Sequence, residues 1–338
     1  MKKSELLLLQ DLLSTPKNIV IVPHKNPDGD AMGSTLGLLQ YLNKKGHRAT
    51  VVSPNDYPKF LKWLPFEDSV IKYDLQNQQA LRFIKEADLI FTLDFNSLSR
   101  VGDMSVVLEK SSAQFVMIDH HQQPDDYAVV TYSDVTICAT CQMVYHTIEM
   151  LDDKDLIDAD IATCLYTGIM TDTGSFRFRS TSSLTHTVIA SLIEKGADNA
   201  FIHEQIYDAN SFSRMQLLGT ALTNLKVLPE YRAAFITLSQ DELDEHNYQK
   251  GDTEGFVNYG LSLDNIKIAL IFIENKQEGI IKISLRSKGD FSVNEMSRSH
   301  FHGGGHTNAA GGKSDLSLED TVAYFISILP QYKDALNE

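Results

Sequence analysis

Short apolar runs alternate with stretches of helical spacing along the first half of the chain. Four runs predict buried strands, at 18–23, 48–53, 88–93 and 115–118. Apolar residues with helical spacing predict helices at 30–45, 77–87, 139–151 and 159–170, with a partly helical stretch at 97–110. Strands that alternate with helices pair in parallel through right-handed crossovers, so this half predicts a doubly wound α/β domain with a mainly parallel sheet.

The pattern changes in the second half of the chain. Residues 183–227 are predicted to be helical, with breaks at Gly196 and Asn210, and to form a connector. Further strands are predicted at 231–238, 266–273 and 279–287. Ser292 and Glu295 have the capping-box spacing that opens a short helix. The predicted organisation is a first domain at 1–188, a helical connector at 189–227 and a smaller α/β domain at 228–338.

Composition and charge narrow the class of protein. The chain has 338 residues, of which 43% are hydrophobic, which favours two domains over one. No window of about 18 apolar residues predicts a membrane span. Gln10 and Asp11 interrupt the first leucine run too early for a signal peptide, so a cytoplasmic location is expected. The net charge of −15, without a block of lysines and arginines, argues against long nucleic acids as partners.

Candidate metal ligands follow the predicted strands and one predicted helix. They are His24, Asp28, Asp30, Asp94, Asp119, His120, His121 and Asp172. In doubly wound sheets, ligands bind beyond the carboxyl ends of the strands, so these residues are predicted to meet in one crevice. Carboxylates and imidazoles without a thiolate favour Mn²⁺, Mg²⁺ or Zn²⁺. The aspartates bring about four negative charges, which suggests two divalent cations and hence phosphoester hydrolysis.

Each of these residues also has a purely structural alternative. Asp28 fits a turn, and Asp30 fits a helix N-cap. Asp94 fits a cap of the next segment, and His24 fits a structural histidine. Asp119 fits a supporting role in which it orients a histidine. The convergence of all of them on one sheet edge favours the metal site.

Other reactive side chains lack this convergence. Cys138 and Cys141 have the two-residue spacing of zinc and redox motifs, but only Cys164 remains to complete a site. Small residues packing at a helix start are therefore expected. Surface or core positions are expected for the remaining histidines of helices and polar stretches, which are His47, His146, His186, His203 and His246.

Two further segments carry candidate substrate contacts. Consecutive glycines near the C-terminus allow backbone N–H groups to approach an anion, and histidine and asparagine follow them. These residues are Gly303, Gly304, Gly305, His306 and Asn308, after His302, whose role is open. Arg286 would add a guanidinium for a phosphate. Arginine and aromatic groups at 176–179, including Arg179, would stack a base or hold a phosphate. The alternative for the glycine segment is a flexible loop, and that for Arg286 is a surface arginine without a ligand. The alternative for residues 176–179 is a half-buried strand.

Taken in order, these residues resemble a known family. The segments with His24, Asp28 and Asp30, with Asp94, with Asp119-His120-His121 and with Thr171-Asp172-Thr173-Gly174 are similar to the four ordered motifs of DHH phosphoesterases. The glycine-rich segment resembles the signature of the DHH-associated C-terminal domain. The resemblance spans residues 18–312. It extends to the short bacterial nanoRNases and pAp phosphatases and to the hydrolases of cyclic di-AMP and pApA. RecJ exonucleases are longer, and the related pyrophosphatases lack the glycine-rich segment.

The resemblance implies a role for each candidate residue. His24 and Asp28 would bind one metal ion, and Asp30, His120 and Asp172 would bind the other. Asp94 would bridge both ions, Asp119 would orient His120, and His121 would contact the substrate phosphate or support a ligand. The terminal phosphate or nucleotide would be held across an interdomain cleft, which contains the active site, by Arg286, Gly303, Gly304, Gly305, His306 and Asn308.

The predicted function is a phosphoesterase that hydrolyses short nucleotides with two divalent cations, usually Mn²⁺ in this family. The implied nucleophile is a metal-bridged hydroxide, and the implied substrates are nanoRNA, pApA, cyclic di-AMP and pAp. The alternatives are a single-strand exonuclease of RecJ type and a non-catalytic nucleotide-binding regulator. Neither a membrane nor long nucleic acid is expected as a partner, whereas a homodimer fits the habit of related proteins.

Overall fold

The computed structural model describes residues 1–337, and these form two compact units. The first is Met1–Ala209, and the second begins at Asn210. The boundary lies inside the range 189–227 that was expected to be a connector. The helical residues before the boundary pack with the first unit and those after it pack with the second.

The first unit is a parallel sheet with helices on both faces. Its strands are β1 (Asn18–Pro23), β2 (Arg48–Ser53), β3 (Ile71–Lys72), β4 (Leu89–Leu93), β5 (Gln114–Asp119) and β6 (Val130–Ser133). Its helices are α1 (Lys3–Leu12), α2 (Gly29–Lys44), α3 (Asn77–Glu86), α4 (Ser105–Leu108), α5 (Thr140–Met150), α6 (Ala159–Asp172), α7 (Ser183–Glu194) and α8 (Asn199–His203).

The strand order confirms the predicted doubly wound fold. The order is β3-β2-β1-β4-β5-β6, and every neighbouring pair is parallel. The chain first builds outward from β1 in one direction and then restarts on its other side at β4. In sheets of this order, the ligand crevice opens beyond the carboxyl ends of the strands at that switch point.

Alternating residues of each strand enter two separate cores. Ile19 and Ile21 of β1 pack in the core that contains residues of α2, α5 and α6, whereas Val20 and Val22 pack in the core with residues of α3 and α4. Side chains alternate across a sheet with a period of two, and helices cover both faces here. The predicted strands therefore read as continuous apolar runs.

The second unit contains a mixed sheet, as predicted for a smaller α/β domain. Its strands are β7 (Lys226–Leu228), β8 (Ala233–Leu238), β9 (Ile268–Asn275), β10 (Ile280–Ser287), β11 (Gly304–His306) and β12 (Ala309–Ser314). Its helices are α9 (Phe212–Thr223), α10 (Gln240–Glu245), α11 (Phe256–Ser262), α12 (Val293–His300), α13 (Leu318–Ile328) and α14 (Lys333–Asn337). The order is β11-β12-β10-β9-β8-β7, in which β8 and β9 are parallel and the other pairs antiparallel.

Two segments differ from the structures that were given as alternatives to a role in substrate binding. Residues 176–179 form turns after α6 instead of a half-buried strand. The glycine-rich segment forms a hairpin of β11 and β12 instead of a flexible loop. Ser292 caps α12 by accepting the Glu295 N–H at 3.2 Å, in keeping with the predicted helix start. Within residues 1–337, no helix is long and apolar enough to cross a membrane.

Candidate metal centre

The loop after β1 presents His24 and Asp28 to each other. Asp28 caps α2, since its Oδ1 accepts the N–H groups of Asp30 and Ala31 at 3.0 Å each. Its other oxygen lies 3.8 Å from Nε2 of His24. The His24 ring is fixed by Nδ1, which lies 2.9 Å from the Lys25 carbonyl oxygen. Such a backbone contact leaves Nε2 as the nitrogen directed at the carboxylates.

Asp94 stands between two histidines at the end of β4. One of its oxygens lies 3.5 Å from Nε2 of His24, and the other lies 3.4 Å from Nε2 of His120. The Asp94 backbone is left-handed, with φ of 65°, which is uncommon outside glycine but accessible to aspartate. Asp94 as a whole residue is 2% exposed. Asp94 therefore has the geometry of a residue shared by two ligand groups.

The second ligand group gathers around His120. Its Nε2 lies 3.7 Å from Asp30 and 3.5 Å from Asp172, in addition to the contact with Asp94. Its Nδ1 lies 3.1 Å from the Ile137 carbonyl oxygen, which fixes the ring as the Lys25 carbonyl does for His24. Residues from three segments thus surround one imidazole nitrogen.

The N-terminus of α5 holds Asp30 in place. The two Asp30 oxygens accept the Thr140 N–H at 2.6 Å and the Cys141 N–H at 2.8 Å. The Thr140 hydroxyl also donates to Asp94 at 3.0 Å. The exposed N–H groups and positive dipole end of a helix stabilise a buried carboxylate. No local sequence motif marks Thr140, because its partners Asp30 and Asp94 lie far away in the chain.

A stripe of glycines lets α6 approach α2 closely. A Cβ atom on Gly33 would lie 2.4 Å from the Cys164 carbonyl oxygen, and one on Gly37 would lie 2.8 Å from the Leu165 side chain. On α6, a Cβ on Gly168 would lie 2.1 Å from the Cys141 sulfur. This approach brings Asp172, the last residue of α6, to the group around His120. The spacing of four between Gly29, Gly33 and Gly37 is a sequence signal for close helix contact, and it was not among the predicted features.

The pKa values of the ionisable groups show that carboxylates are in excess in this centre. Burial alone would lower the pKa of His24, but the Asp28 and Asp94 carboxylates raise it to about 10. Burial raises the pKa of Asp172 to about 6, to which the Asp28 and Asp94 charges contribute. Burial and the neighbouring Asp94 and Asp172 carboxylates likewise hold the pKa of Asp30 well above its usual range. The clustered carboxylates thus create a negative charge that divalent cations would balance.

Asp119 supports His121, which corrects the expected pairing with His120. Oδ1 of Asp119 lies 2.7 Å from Nδ1 of His121, and its Oδ2 accepts the His121 backbone N–H at 3.0 Å. The nitrogen of His120 that would need such support faces the Ile137 carbonyl instead. Asp119 is fully buried, so its carboxylate fixes the ring of His121 beside Asp94, 3.7 Å away.

The predicted residues therefore assemble into groups that could hold metal ions. Within each group the donor atoms all lie within 4.8 Å of one another, and the groups whose members all belong to the first unit are His24 with Asp28 and Asp94, Asp30 with His120 and Asp172, and Asp94 with Asp119 and His121. The donors are oxygens and imidazole nitrogens, the set that suits Mn²⁺, Mg²⁺ or Zn²⁺. The residues present fit two divalent cations on either side of Asp94.

The candidate substrate residues of the second unit have identifiable structural contacts. The Asn308 side-chain amide donates to Ser287 Oγ at 2.8 Å and to the Gly289 carbonyl at 2.9 Å. Arg286 lies on β10, and its guanidinium donates to the adjacent Leu285 carbonyl at 3.0 Å. Asn308 thus ties the hairpin turn to the end of β10, and the roles of both residues in substrate binding stay predictions.

The glycines of the hairpin differ in the space around them. A Cβ on Gly303 would lie 1.9 Å from the Gly311 carbonyl oxygen, and one on Gly305 would lie 2.5 Å from the Ala309 carbonyl oxygen. A Cβ on Gly304 would meet nothing closer than 3.6 Å. Gly303 and Gly305 are therefore required by the packing of the hairpin, whereas Gly304 is not. His306 ends β11 opposite Ala309, and Arg179 lies in the exposed turn after α6.

The three cysteines are buried and unpaired with one another by disulfides. Cys138 and Cys141 flank the start of α5, as expected for small residues that pack at a helix start. Burial raises the pKa of Cys138 to about 12, so this thiol is a poor nucleophile and a poor ligand at neutral pH.

Comparison with known proteins agrees with this architecture. The N-terminal domain of the DHH family matches residues 18–169, and the DHHA1 domain matches residues 231–332. The bifunctional oligoribonuclease and PAP phosphatase NrnA of Thermus thermophilus is 30% identical, with 90% of this chain and 86% of that protein covered. The cyclic-di-AMP phosphodiesterase PdeA of Listeria monocytogenes is 26% identical, with 96% of this chain and 49% of that protein covered.

A solved structure covers the whole chain. The crystal structure of an exopolyphosphatase-related protein from Bacteroides fragilis is 38% identical, with a TM-score of 0.95, and the match covers 100% of this chain and 98% of that chain. The chain belongs to the DHH family of phosphoesterases, with a DHHA1 domain as its second unit.

Proposed function

We propose that this protein is a manganese-dependent phosphodiesterase of short nucleotides with pAp phosphatase activity. The observation that carries the proposal is the position of Asp94, whose two oxygens face the two histidines of two different ligand groups. A carboxylate so placed is suited to bridge a pair of cations. His24, Asp28 and Asp94 would hold one cation, and Asp30, His120, Asp172 and Asp94 would hold the other.

The protein's own residues prepare this centre for phosphoryl chemistry. Two divalent cations, when bound, lower the pKa of water and offset charge on the phosphoryl oxygens. Backbone carbonyls orient both histidine ligands, and the start of α5 orients Asp30, so the donors are held before any ligand arrives. Such preorganisation removes the need to rearrange charged groups during reaction.

His121 is proposed to contact the phosphate that reacts. Its ring is fixed by the buried Asp119 through Nδ1 and lies next to Asp94 without belonging to either of the two proposed cation-binding sets. An imidazole fixed by a carboxylate at Nδ1 donates from Nε2 to a phosphoryl or leaving oxygen once that nitrogen is protonated. Asp119 and His121 thus form a pair in which the carboxylate sets the orientation and the imidazole meets the substrate.

Short substrates are favoured over long nucleic acids. The net charge of −15 opposes the many phosphate contacts on which binding of long chains depends. The relatives named above are an oligoribonuclease with PAP phosphatase activity and a cyclic-di-AMP phosphodiesterase. The residues proposed to bind the terminal phosphate or nucleotide are Arg286, Gly303, Gly304, Gly305, His306 and Asn308. Arg179 is proposed separately to stack a base or hold a phosphate.

One panel of assays tests the proposal. The purified protein is stripped of metal, loaded with Mn²⁺, and given pAp, pApA, cyclic di-AMP, RNA of two to five nucleotides and long single-stranded DNA. The expected result is faster initial cleavage of at least one short substrate than of the long strand. Faster cleavage of the long strand would favour an exonuclease of RecJ type. Binding without cleavage of any substrate would favour a nucleotide-binding regulator.

A further inference from the structure

The backbone takes an unusual turn directly after the candidate ligand Asp172. Gly174, Ser175 and Phe176 are all left-handed, with φ values of 56°, 59° and 65°. Left-handed backbone is rare for a bulky residue such as phenylalanine and persists only where the surroundings impose it. Residues 174–176, the left-handed turn, connect Asp172 to the segment that carries Arg177 and Arg179.

Contacts from α6 impose part of this conformation. The Ser175 N–H donates to the Met170 carbonyl at 2.8 Å, and the Phe176 N–H donates to Thr173 Oγ1 at 3.0 Å. The Phe176 ring lies 5.8 Å from the ring of Tyr166. These contacts come from α6 and from Thr173, the residue that follows it, so they hold the turn against the end of the helix that bears Asp172.

His203 joins the left-handed turn to a different helix. Its Nε2 lies 3.1 Å from Ser175 Oγ, and its Nδ1 lies 2.7 Å from the Asn199 carbonyl oxygen. Because a carbonyl only accepts, Nδ1 carries the proton, and Nε2 of the neutral ring accepts the Ser175 hydroxyl. The His203 ring also lies 6.5 Å from the ring of Phe176. His203 therefore holds both non-glycine residues of the turn.

The helix that carries His203 is itself irregular. α8 ends at His203 and continues as a π-helix at Glu204–Asp208, just before the first unit ends at Ala209. The ring of Tyr207 in the π-helix lies 5.9 Å from that of His203. π-helical turns are rare, and those that occur lie frequently at functional sites. Among the residues that the structure describes, His203 belongs to no group that could hold a metal ion.

We propose that His203 is a positioning residue for the metal centre. It acts through the Ser175 hydroxyl and the Phe176 ring, which hold the left-handed turn and so fix where Asp172 stands at the end of α6. The same contacts set the direction in which Arg177 and Arg179 leave the turn. This inference rests on the proposed function only in taking Asp172 as a metal ligand.

The first test replaces His203 by phenylalanine in the full-length chain. The change keeps an aromatic ring beside Phe176 and removes the acceptor for Ser175. Loss of a group that orients a ligand weakens metal binding by about 10–100-fold, so the Kd for Mn²⁺, measured by calorimetry, is expected to rise by about 10-fold or more. The kcat at saturating Mn²⁺ is expected to fall as well. His203→Gln, which restores an acceptor of similar reach, is expected to recover most of the loss.

A second pair of variants separates the hydrogen bond from backbone strain. Ser175→Gly and Ser175→Ala both remove the hydroxyl, but only glycine adopts the left-handed backbone at no cost. Both are expected to weaken Mn²⁺ binding, and the alanine variant is expected to bind more weakly than the glycine variant. Adding His203→Phe to the Ser175→Gly variant is expected to weaken Mn²⁺ binding by a smaller factor than His203→Phe does in the wild-type protein, because the two residues share one hydrogen bond.

His246 provides the matched control. Its Nε2 lies 2.7 Å from Thr220 Oγ1 in the second unit, the same type of bond as that between His203 and Ser175. His246→Phe is expected to leave the Kd for Mn²⁺ unchanged. A His203→Phe protein with a lower Tm but a wild-type Kd for Mn²⁺ would overturn the proposal. If the wild-type protein binds Mn²⁺ but cleaves no substrate, the proposed function is wrong. The role of His203 is then still decided by the Kd for Mn²⁺ of the wild type and of His203→Phe.

Discussion

The first and second units use their candidate residues in different ways. In the first, carboxylates and imidazoles at the carboxyl ends of β1, β4 and β5, at the start of α2 and at the end of α6 lie close to one another. Their hydrogen bonds to neighbouring residues leave oxygens and ring nitrogens directed at a common centre. In the second, Gly303, Gly305 and Asn308 serve the packing of their own hairpin. Polar residues at the carboxyl ends of parallel strands thus point to a shared site, whereas a run of glycines signals close packing and anion binding equally well.

The largest expected effect in the first unit comes from Asp94. Asp94→Ala removes an oxygen from both ligand groups, and transition-state stabilisation by metal ions amounts to several kcal/mol. The expected loss of kcat is on the order of 10³-fold with Mn²⁺ at saturation. Initial rates on the preferred short substrate measure it. Asp155→Ala, at a fully exposed aspartate, is the control and should retain wild-type activity. Full activity of the Asp94 variant would contradict the two-cation assignment.

The hairpin of the second unit is tested by two neighbouring glycines. Gly303→Ala forces a Cβ against the Gly311 carbonyl, and overpacking of this kind costs about 1–3 kcal/mol. A lower Tm by thermal unfolding is expected. Gly304→Ala meets no such obstacle and should leave the Tm near that of the wild type. A rise in KM for Gly304→Ala without a change in Tm would show that this glycine serves substrate binding, and unchanged KM in both variants would remove the hairpin from the substrate site.

The close approach of α2 and α6 is tested at Gly168. A Cβ there would lie 2.1 Å from the Cys141 sulfur and 2.9 Å from an Asp30 oxygen. Gly168→Ala is expected to lower stability by about 1–3 kcal/mol and to weaken Mn²⁺ binding, since Asp30 must move. Gly219→Ala on α9 is the control, because a Cβ on Gly219 would have no atom within 4 Å. An alanine there should stabilise that helix by about 0.5–1 kcal/mol. Equal Tm values for the two variants would contradict the packing argument.

The smallest expected effect concerns His47, which lies outside the candidate ligand groups. It is 6% exposed, and neither ring nitrogen has a hydrogen-bond partner within residues 1–337. Burial lowers the pKa of His47 below its usual value, and the charges of Lys45 and Lys17 act in the same direction. The unfolded chain therefore takes up the proton first as the pH falls.

The resulting stability difference has a definite sign. The contribution of neutral His47 to the free energy of unfolding is complete above about pH 6.5, the pKa of histidine in the unfolded chain. It is lost as the pH falls from there toward the lower pKa of His47 in the folded protein. His47→Leu removes this loss. The Tm of the variant relative to wild type is expected to rise by about 1–2 °C between pH 7.5 and 5.5. A constant difference in Tm over that range would show that His47 does not titrate with unfolding.

Several features were predictable because they depend on local pattern alone. The runs at 18–23 and 48–53 became strands with those bounds, since a strand buried on both faces requires continuous apolar residues. His24, Asp94 and His120 were expected to meet because parallel strands end at one edge. The family resemblance added the division of the residues into two groups, with Asp94 shared between them.

Other features depend on contacts between segments that no local pattern encodes. The Thr140 hydroxyl bonds to Asp94 and its N–H to Asp30, and both partners are remote in sequence, so its role was not predicted. Asp119 was assigned to His120, but the direction of each ring depends on the nearest backbone carbonyl, which belongs to Ile137 for His120. The hairpin at 304–314 was not expected, because strand propensity is low for glycine and pairing with β10 overrides it.

The amino-acid sequence by itself determined the doubly wound sheet, the residues at its edge and the kind of ion that they suit. These follow from apolar periodicity and from the chemistry of aspartate and histidine. Only the tertiary structure decided which side chain supports which. It paired Asp119 with His121, placed Asp30 on the start of α5, and joined His203 to the turn after Asp172. The physical reason is that hydrogen bonds are directional and short, so partners are selected by a few tenths of an ångström that spacing along the chain does not define.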